Sequence, residues 1–239
     1  MLWANRNGFF YVLDRANGQY LSGTPFVKVT WASGLDERGR PLRNPNVDPS
    51  PEGTLVYPGV VGGTNWFSPS YSPRTGLFYI PAWVNYSSTF FKFPARYEPG
   101  KRFTGGGYKQ AVPALRRGPV RTWGEEAGTG AVLALDPTSG ALKWEFKMTD
   151  VTDSGILTTA SDLLFTGGRE GYFYALNARS GDLLWKASVG GQVAAGPITY
   201  EVEGRQLSPL PQGTRCLPTL FGNESSDNAL SVHSLTAPQ

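Results

Sequence analysis

Asn65 and Trp66 carry two side chains that could recognise a ligand together. They follow a pair of glycines in VGGTNWFSPSYSPRTGLFYIPAW (61–83) and precede the strand-like apolar run 77–80. An amide both donates and accepts hydrogen bonds, and an indole offers a flat apolar face. Glycines before such a pair indicate a backbone held close to another group. The alternative is that Asn65 is a turn residue with a local hydrogen bond.

The single cysteine and the single histidine exclude several kinds of site. Cys216 has no partner for a disulfide within the chain, no CxxCH haem motif occurs, and a zinc site of Cys and His ligands is excluded. A Ser-His-Asp triad would need His233, which lies in a poorly patterned segment near the end of the chain.

Charge and hydropathy narrow the choice of partners. The net charge is only +3, so we expect no nucleic-acid partner. Eight basic residues and the single acid Glu98 give the segment 92–121 a local charge of +7, which favours a solvated loop over a surface for an anionic partner. No run of 18 apolar residues occurs, so we predict no transmembrane segment. The start, MLWANRNGFF, has no signal-peptide pattern and enters a strand-like pattern at once, which suggests a beginning within a fold.

Three segments repeat one pattern of strand and turn. They are GFFYVLDRANG (8–18), GAVLALDPTSG (130–140) and GYFYALNARSG (171–181), each with five mostly apolar residues, then Asp or Asn, and a glycine four residues later. The second and third repeats continue to Trp144 and Trp185, which are 41 residues apart. YSPRTGLFYI is a fourth, weaker copy. Asp or Asn followed by glycine is turn chemistry, so each unit predicts a strand and a tight turn.

The repeat predicts an all-β fold of β-propeller blades. A period of 41 residues with several short strands is typical of a blade, and 30 glycines and 19 prolines suit a chain with many turns. At ~40–45 residues per blade, and with a long insertion at 86–128, the chain holds roughly four blades. These form a small ring or part of a larger one. Trp144 and Trp185 would each fill the gap between adjacent blades. A β-sandwich with similar hairpins is the alternative.

The chain resembles the pyrroloquinoline quinone (PQQ)-dependent alcohol dehydrogenases of the methanol and ethanol dehydrogenase type. The resemblance rests on DRANGQYLSGTPFVKVTWASGLDERGRP, GGTNWFSPSYSPRTGLFYIPA and SGILTTASDLLFTGGREGYFYALNARSGDLLWKASVGGQVAAGPITY, and it covers residues 2–206. The [DN]-x-x-[TS]-G-x-x-x-W pattern is similar to the tryptophan-docking motif of that family, while GGTNW and NRNG are more discriminating. The resemblance implies the C-terminal portion of an eight-bladed propeller.

The resemblance also implies a cofactor site. Asn65 matches the asparagine that contacts the quinone, Trp66 lies beside it, and Arg6 of ANRNG matches the basic residue over the quinone carbonyls. The implied cofactors are PQQ and a calcium or lanthanide ion. The implied substrate is a small alcohol or aldehyde, the electron acceptor a cytochrome of the c type, and the compartment the periplasm.

Several features of that family have no match in this chain. The resemblance places the catalytic aspartate, the metal ligands and the stacking tryptophan in an N-terminal half, so we expect no catalytic residue and no metal ligand here, and the missing half becomes an expected partner. Where many relatives carry a tryptophan before the stretch matching GILTT, this chain has Asp153. We therefore expect a differently lined pocket.

The end of the chain departs from the family pattern. Residues 207–239 contain four prolines and no alternating strand pattern. Because proline donates no ladder hydrogen bond, 207–218 is predicted to be poor strand material. We expect two parts: a partial propeller at 1–206 and an atypical tail at 207–239, either disordered or produced by a shift of reading frame.

Three functional hypotheses follow. The first is part of a quinoprotein alcohol dehydrogenase, inactive alone because the catalytic base and metal ligands are missing. The second is a non-catalytic propeller scaffold, similar to the outer-membrane assembly lipoproteins. The third is a truncated relic of the enzyme that cannot fold alone.

Overall fold

The computed structural model describes residues 1–92, 94, 96–103, 128–202, 205–212, 215–221 and 232–234. These residues form β-strands joined by turns, with no helix among them. That part of the chain accordingly has no helix with the length and apolar character that a membrane crossing requires. The predicted all-β class, with sheets of propeller-blade type, is confirmed.

The chain divides into two compact units. Unit 1 comprises residues 1–65 and 83–129, and unit 2 comprises residues 66–82 and 130–239. Residues 207–239, the predicted tail, are assigned to unit 2. The predicted boundary after Gln206 stays a prediction.

Unit 1 is built from one three-stranded sheet and two short pairs, with orders β1-β2-β3, β4-β5 and β6-β9. Phe9, Tyr11 and Ala32 are buried together, and the ring of Trp31 meets Phe9 edge-on with a centroid distance of 6.1 Å. The strands are β1 Leu2–Ala4, β2 Phe9–Leu13, β3 Tyr20–Pro25, β4 Ala32–Leu35, β5 Pro41–Arg43, β6 Thr54–Val56 and, after β7 and β8 of unit 2, β9 Ser88–Phe90.

Unit 2 contains the four-stranded sheets. Their orders are β11-β10-β8-β7, β12-β13-β14-β15 and β16-β17-β18-β19. Tyr79, Val132, Leu164 and Leu176 belong to a core cluster that joins the first two sheets. The strands are β7 Ser70–Ser72, β8 Leu77–Val84, β10 Thr129–Leu135, β11 Leu142–Lys147, β12 Leu157–Thr158, β13 Leu163–Gly167, β14 Tyr172–Asn177, β15 Leu183–Ser188, β16 Tyr200–Val202, β17 Arg205–Gln212, β18 Arg215–Phe221 and β19 Val232–Ser234.

The repeated segments form the same turn. The side chains of Asp14, Asp136 and Asn177 each accept a hydrogen bond from the backbone N–H two residues later, at 2.7, 2.9 and 2.8 Å. The glycines that close these turns have φ of 75°, 71° and 80°, so the turn requires a residue that adopts positive φ. The weaker copy shares the closing geometry, because Gly76 donates its N–H to the Ser72 carbonyl at 2.9 Å with φ of 71°.

Trp144 joins two sheets of unit 2. Its indole Nε1 donates to the carbonyl of Ala178 at 3.2 Å, at the start of the β14–β15 turn. A Cβ on Gly181 would lie 2.6 Å from the indole Cε3, so the absence of a side chain lets the ring sit on this turn. Trp185 occupies the same place on β15 and packs edge-on against Phe173 at 6.4 Å. The docking role assigned to both tryptophans stays a prediction.

The prediction that 207–218 makes poor strand material is wrong. Residues 205–212 pair antiparallel with 215–221, and Pro209 faces Pro218 in the register. On its other side β17 is paired with β16 only as far as Leu207, which faces Tyr200. Beyond Leu207, the one described neighbour of β17 is β18. The other side of the strand tolerates proline there, because no backbone N–H is needed for pairing on that side. The disordered or frame-shifted origin of the tail stays a prediction.

Candidate functional site

Arg6 lies in the β1–β2 turn of unit 1 and touches the glycine loop that precedes Asn65. Its guanidinium Nη2 donates to the Val60 carbonyl, and its backbone carbonyl accepts a hydrogen bond from the Gly63 N–H at 3.1 Å. A Cβ on Gly62, which has φ of 95°, would lie 2.3 Å from Arg6 Cγ. The two segments singled out in the sequence, ANRNG and GGTNW, therefore meet.

The structure assigns this glycine pair a packing role. Gly62 is close to Arg6, and a Cβ on Gly63 would lie 2.5 Å from Val27 Cγ2. The close approach expected from the sequence is thus made to two side chains of unit 1. A side chain at position 62 would clash with Arg6, and one at position 63 would clash with Val27.

Asn65 is half-buried at the end of the same loop. Its Nδ2 donates to the Val61 carbonyl at 3.0 Å. This is the local turn bond that the sequence offered as the alternative, and it uses one of the two N–H groups of the amide. The Asn65 amide and the Arg6 guanidinium both bond carbonyls of successive residues, 61 and 60.

Trp66 begins unit 2 and is one of its most exposed large side chains, with 70% of its surface accessible. Its ring packs against Phe67, which is buried, with centroids 5.0 Å apart. An exposed indole is a side chain of the kind that stacks on planar ligands.

Asp153, which was singled out from the sequence, is buried in a polar cluster of unit 2. Its Oδ2 accepts hydrogen bonds from Arg169 Nε at 2.6 Å and from Gln192 Nε2 at 2.8 Å. Only 12% of the Asp153 side chain and 22% of the Arg169 side chain are exposed. Position 153 thus carries a paired and largely buried charge, and the differently lined pocket stays a prediction.

A second carboxylate of the same unit, Glu170, lies in the β13–β14 turn and is paired with Tyr174 of β14. The Tyr174 hydroxyl donates to Glu170 Oε1 at 2.7 Å, and Oε2 is buried without a hydrogen-bond partner among the described residues. Burial, with the Glu170 carboxylate as the next cause, raises the pKa of Tyr174 well above its usual range. Tyr174 therefore stays protonated and acts as a structural donor.

Asp162 ties two turns of unit 2 together and was not singled out from the sequence. It accepts hydrogen bonds from Arg74 Nε at 2.9 Å and from Arg179 Nε at 3.0 Å, and its φ is 60°. The hydrogen bond from Arg74 is the main cause that lowers the pKa of Asp162. The partners are 88 and 17 residues away, so no local sequence pattern marks them.

The residues of unit 1 fit part of a quinone site. Arg6 has donors beyond the one that bonds Val60, so its guanidinium can bind carbonyl or carboxylate oxygens, and Asn65 is an amide of the kind that binds such oxygens through its N–H groups. A metal ion would need several ligand side chains close together. In the part of the chain that the structure describes, no three Asp, Glu, His or Cys side chains group closely enough to hold an ion.

Comparison with known proteins covers almost all of the chain. It is 36% identical over 229 residues to quinoprotein alcohol dehydrogenase PedH of Pseudomonas putida, covering 92% of this chain and 36% of that protein. It is 35% identical over 217 residues to 1-butanol dehydrogenase (cytochrome c) of Thauera butanivorans, covering 89% of this chain and 30% of that protein. The chain thus spans about a third of the length of these relatives.

Solved structures give the same result for the fold. The crystal structure of quinohemoprotein alcohol dehydrogenase from Comamonas testosteroni matches with a TM-score of 0.75 and 32% identity, covering 87% of this chain and 31% of that one. A family model described as outer membrane protein assembly factor BamB matches residues 128–209, the region with Trp144 and Trp185. This chain is therefore homologous to part of the PQQ-dependent quinoprotein alcohol dehydrogenases.

Proposed function

We propose that the intact protein is a PQQ-dependent dehydrogenase that oxidises a primary alcohol or an aldehyde, and that this chain, as the C-terminal part of the propeller, supplies one side of the quinone site. The observation that carries the proposal is the meeting of ANRNG and GGTNW. Gly62 packs on Arg6, and the Gly63 N–H bonds the Arg6 carbonyl at 3.1 Å. A cation and an amide separated by nearly sixty residues are thereby held by one loop.

Each of the three residues has a separate task at this site. A bound quinone supplies an acceptor for the hydride or electrons of the alcohol. Arg6 provides a fixed cation for negative charge on the quinone oxygens, and a fixed cation needs no reorganisation when that charge appears. Asn65 binds the polar edge through its amide, and Trp66 provides an apolar wall.

The remaining parts of the reaction come from outside this chain. We propose that the catalytic aspartate and the ligands of a calcium or lanthanide ion lie in the missing N-terminal half, because a hard cation needs ~6–8 oxygen ligands. This chain alone is then inactive. The electrons then pass to a cytochrome of the c type in the periplasm. A cytochrome acceptor agrees with the name of the relative from Thauera butanivorans, 1-butanol dehydrogenase (cytochrome c).

Quinone binding to the full chain tests the proposal. Equilibrium dialysis with PQQ measures the dissociation constant for the wild type and for Arg6→Ala, Asn65→Ala and Trp66→Ala. Each loses a hydrogen bond or a stacking surface, so we expect about tenfold weaker binding from each. Two variants at exposed positions serve as matched controls. Arg15→Ala removes another cation, and Tyr71→Ala removes another aromatic ring, which is 48% exposed in the wild type. The proposal fails if the folded wild type binds no quinone.

A scaffold without catalysis is the second candidate, and the match of residues 128–209 to the assembly-factor model favours it. A scaffold needs the repeats with Trp144 and Trp185 but has no use for Arg6 and Asn65. It therefore predicts a folded chain without quinone affinity, unchanged by Arg6→Ala or Asn65→Ala. A truncated relic predicts a chain that aggregates on expression.

A further inference from the structure

The loop of unit 1 that receives Arg6 and Asn65 contains a tight turn. Gly62 donates its N–H to the Gly59 carbonyl at 2.9 Å, which closes a turn with residues 60 and 61 at its centre. The carbonyls of these two central residues accept the hydrogen bonds from Arg6 and from Asn65. The positions of both side chains therefore depend on where this turn is held.

Ser88, the first residue of β9, bonds the centre of this turn. Its Oγ accepts a hydrogen bond from the Val60 N–H at 2.9 Å, although the two residues are 28 positions apart in the sequence. Beside this bond, the Gly59 N–H donates to the Tyr86 carbonyl at 2.9 Å. Val60 therefore gives its N–H to Ser88 and its carbonyl to the guanidinium of Arg6.

Ser88 is suited to fix the turn because it is buried and belongs to a pair of strands. Only 9% of its surface is accessible, and it faces Val56 in the antiparallel pairing of β6 with β9. A Cβ on Gly59 would lie 2.6 Å from Ser88 Oγ, so the turn lies directly against the serine. A backbone N–H that loses its partner at a partly buried site costs free energy, and the bond therefore resists movement of the turn.

We infer that Ser88 is a positioning residue of the proposed quinone site, because its hydroxyl oxygen fixes Val60 so that the Val60 carbonyl holds the Arg6 guanidinium in place. This inference rests on the proposed function and deepens it. Ser88 acts through Arg6 and supplies no group to the quinone itself. A cation that is already held in position stabilises charge on a bound group without the cost of reorienting when that group arrives.

The preceding residue, Ser87, provides a matched control. Its Oγ is buried and has no hydrogen-bond partner among the residues that the structure describes. Ser87→Ala and Ser88→Ala each remove one hydroxyl group from adjacent positions of the chain, but only Ser88→Ala removes the bond to Val60. A difference between the two variants therefore separates the effect of that bond from the loss of a hydroxyl group as such.

The NMR resonance of the Arg6 Nε–H group in the quinone-free full chain is the first test. A guanidinium that donates to a fixed carbonyl has restricted motion, which the order parameter of this group measures. We expect Ser88→Ala to move the resonance toward that of free arginine and to lower the order parameter, and Ser87→Ala to change neither. Ser88→Thr keeps the hydroxyl acceptor and should restore both wild-type values. An Arg6 signal that is the same in the wild type and in Ser88→Ala overturns the inference.

Equilibrium dialysis with PQQ is the second test. Ser88→Ala leaves the guanidinium present but loosely held, so we expect about fivefold weaker binding, against about tenfold for Arg6→Ala. In an Arg6→Ala background, Ser88→Ala should weaken binding by less than about twofold, because the group through which Ser88 acts is gone. A fivefold loss that persists in that background overturns the inference. If Ser88→Ala does not fold, Ser88→Cys, whose sulfur is a weaker acceptor, replaces it in both tests.

Failure of the inference is distinguishable from failure of the proposed function. If quinone binding is weakened by Arg6→Ala but not by Ser88→Ala, the inference is refuted and the proposed function stands. If the folded wild type binds no quinone, the proposed function is refuted, and the Arg6 resonance alone decides whether Ser88 positions that side chain.

Discussion

Unit 1 and unit 2 hold their polar residues in opposite ways. In unit 1, the exposed Arg6 and the half-buried Asn65 both donate to backbone carbonyls of one loop. In unit 2, Asp153 is bonded by the side chains of Arg169 and Gln192 and is almost buried.

The difference separates ligand-binding groups from groups that also support the fold. Removal of Arg6 or Asn65 leaves a loop carbonyl that water can satisfy. Removal of Asp153 leaves the Arg169 cation in a site with little water, which carries a larger cost. We therefore expect mutation of Asp153 to reduce stability and mutation of Arg6 or Asn65 to reduce binding alone.

The largest loss of stability is expected for Trp144→Ala. The indole packs on Gly181 and bonds the Ala178 carbonyl, and truncation of a large aromatic residue costs about 3 kcal/mol. Trp144→Phe keeps the ring and loses the donor, so it costs about 1 kcal/mol. Urea unfolding followed by circular dichroism measures both. Leu142→Ala, at an exposed position of β11, is the control and should change little. Equal effects at 142 and 144 would refute the docking role.

Asp153→Ala tests the comparison directly. Loss of one partner from a largely buried ion pair is expected to lower the free energy of unfolding by about 3 kcal/mol, whereas Arg6→Ala changes it by less than about 1 kcal/mol. The same urea experiment measures both variants. If Arg6→Ala destabilises the chain as much as Asp153→Ala, the distinction between the two units does not hold.

A matched pair of glycines sharpens the account of the Trp144 contact. Gly76 and Gly181 both close a turn with positive φ, at 71° and 80°, but only Gly181 is covered by the indole, since a Cβ on Gly76 meets no atom within 4 Å. Alanine strains both turns by about 1 kcal/mol. At position 181 the clash with Trp144 adds about 1 to 2 kcal/mol. Thermal unfolding of both variants measures the difference, and no difference would mean that the ring does not rest on this turn.

The sequence predicted the repeated elements well because their signals are local. Asp136, Gly140 and the apolar run before them lie within one segment, and the structure forms the expected strand and turn. Resemblance then identified the family, and the relatives confirm it. The strands at 205–212 and 215–221 were missed because prolines count against a strand unless the open side of the sheet is known.

The contacts of the candidate site were not predictable in the same way. Asp153 was noticed as a departure, but Arg169 and Gln192 lie 16 and 39 residues along the chain, and no periodicity links them. The role of Gly62 was also only partly predicted, because a close approach was expected but its partner, Arg6, is set by tertiary packing.

Asp162 gives the smallest expected effect and one that depends on pH. Arg74, the main cause, and Arg179 lower the pKa of Asp162 in the folded chain. The ion pairs therefore stabilise the fold at a pH above the ordinary aspartate pKa, and this contribution is lost as the pH falls through the lowered pKa.

Asp162→Asn keeps a residue that tolerates the observed φ of 60° and removes the charge. We expect the variant to be less stable than the wild type at neutral pH, with the difference shrinking in acid. Melting temperatures across that pH range measure it. Because these charges lie near the surface, added salt should also reduce the difference, whereas a gap that persists in acid and in salt would mean that Asp162 acts through its backbone and not its charge.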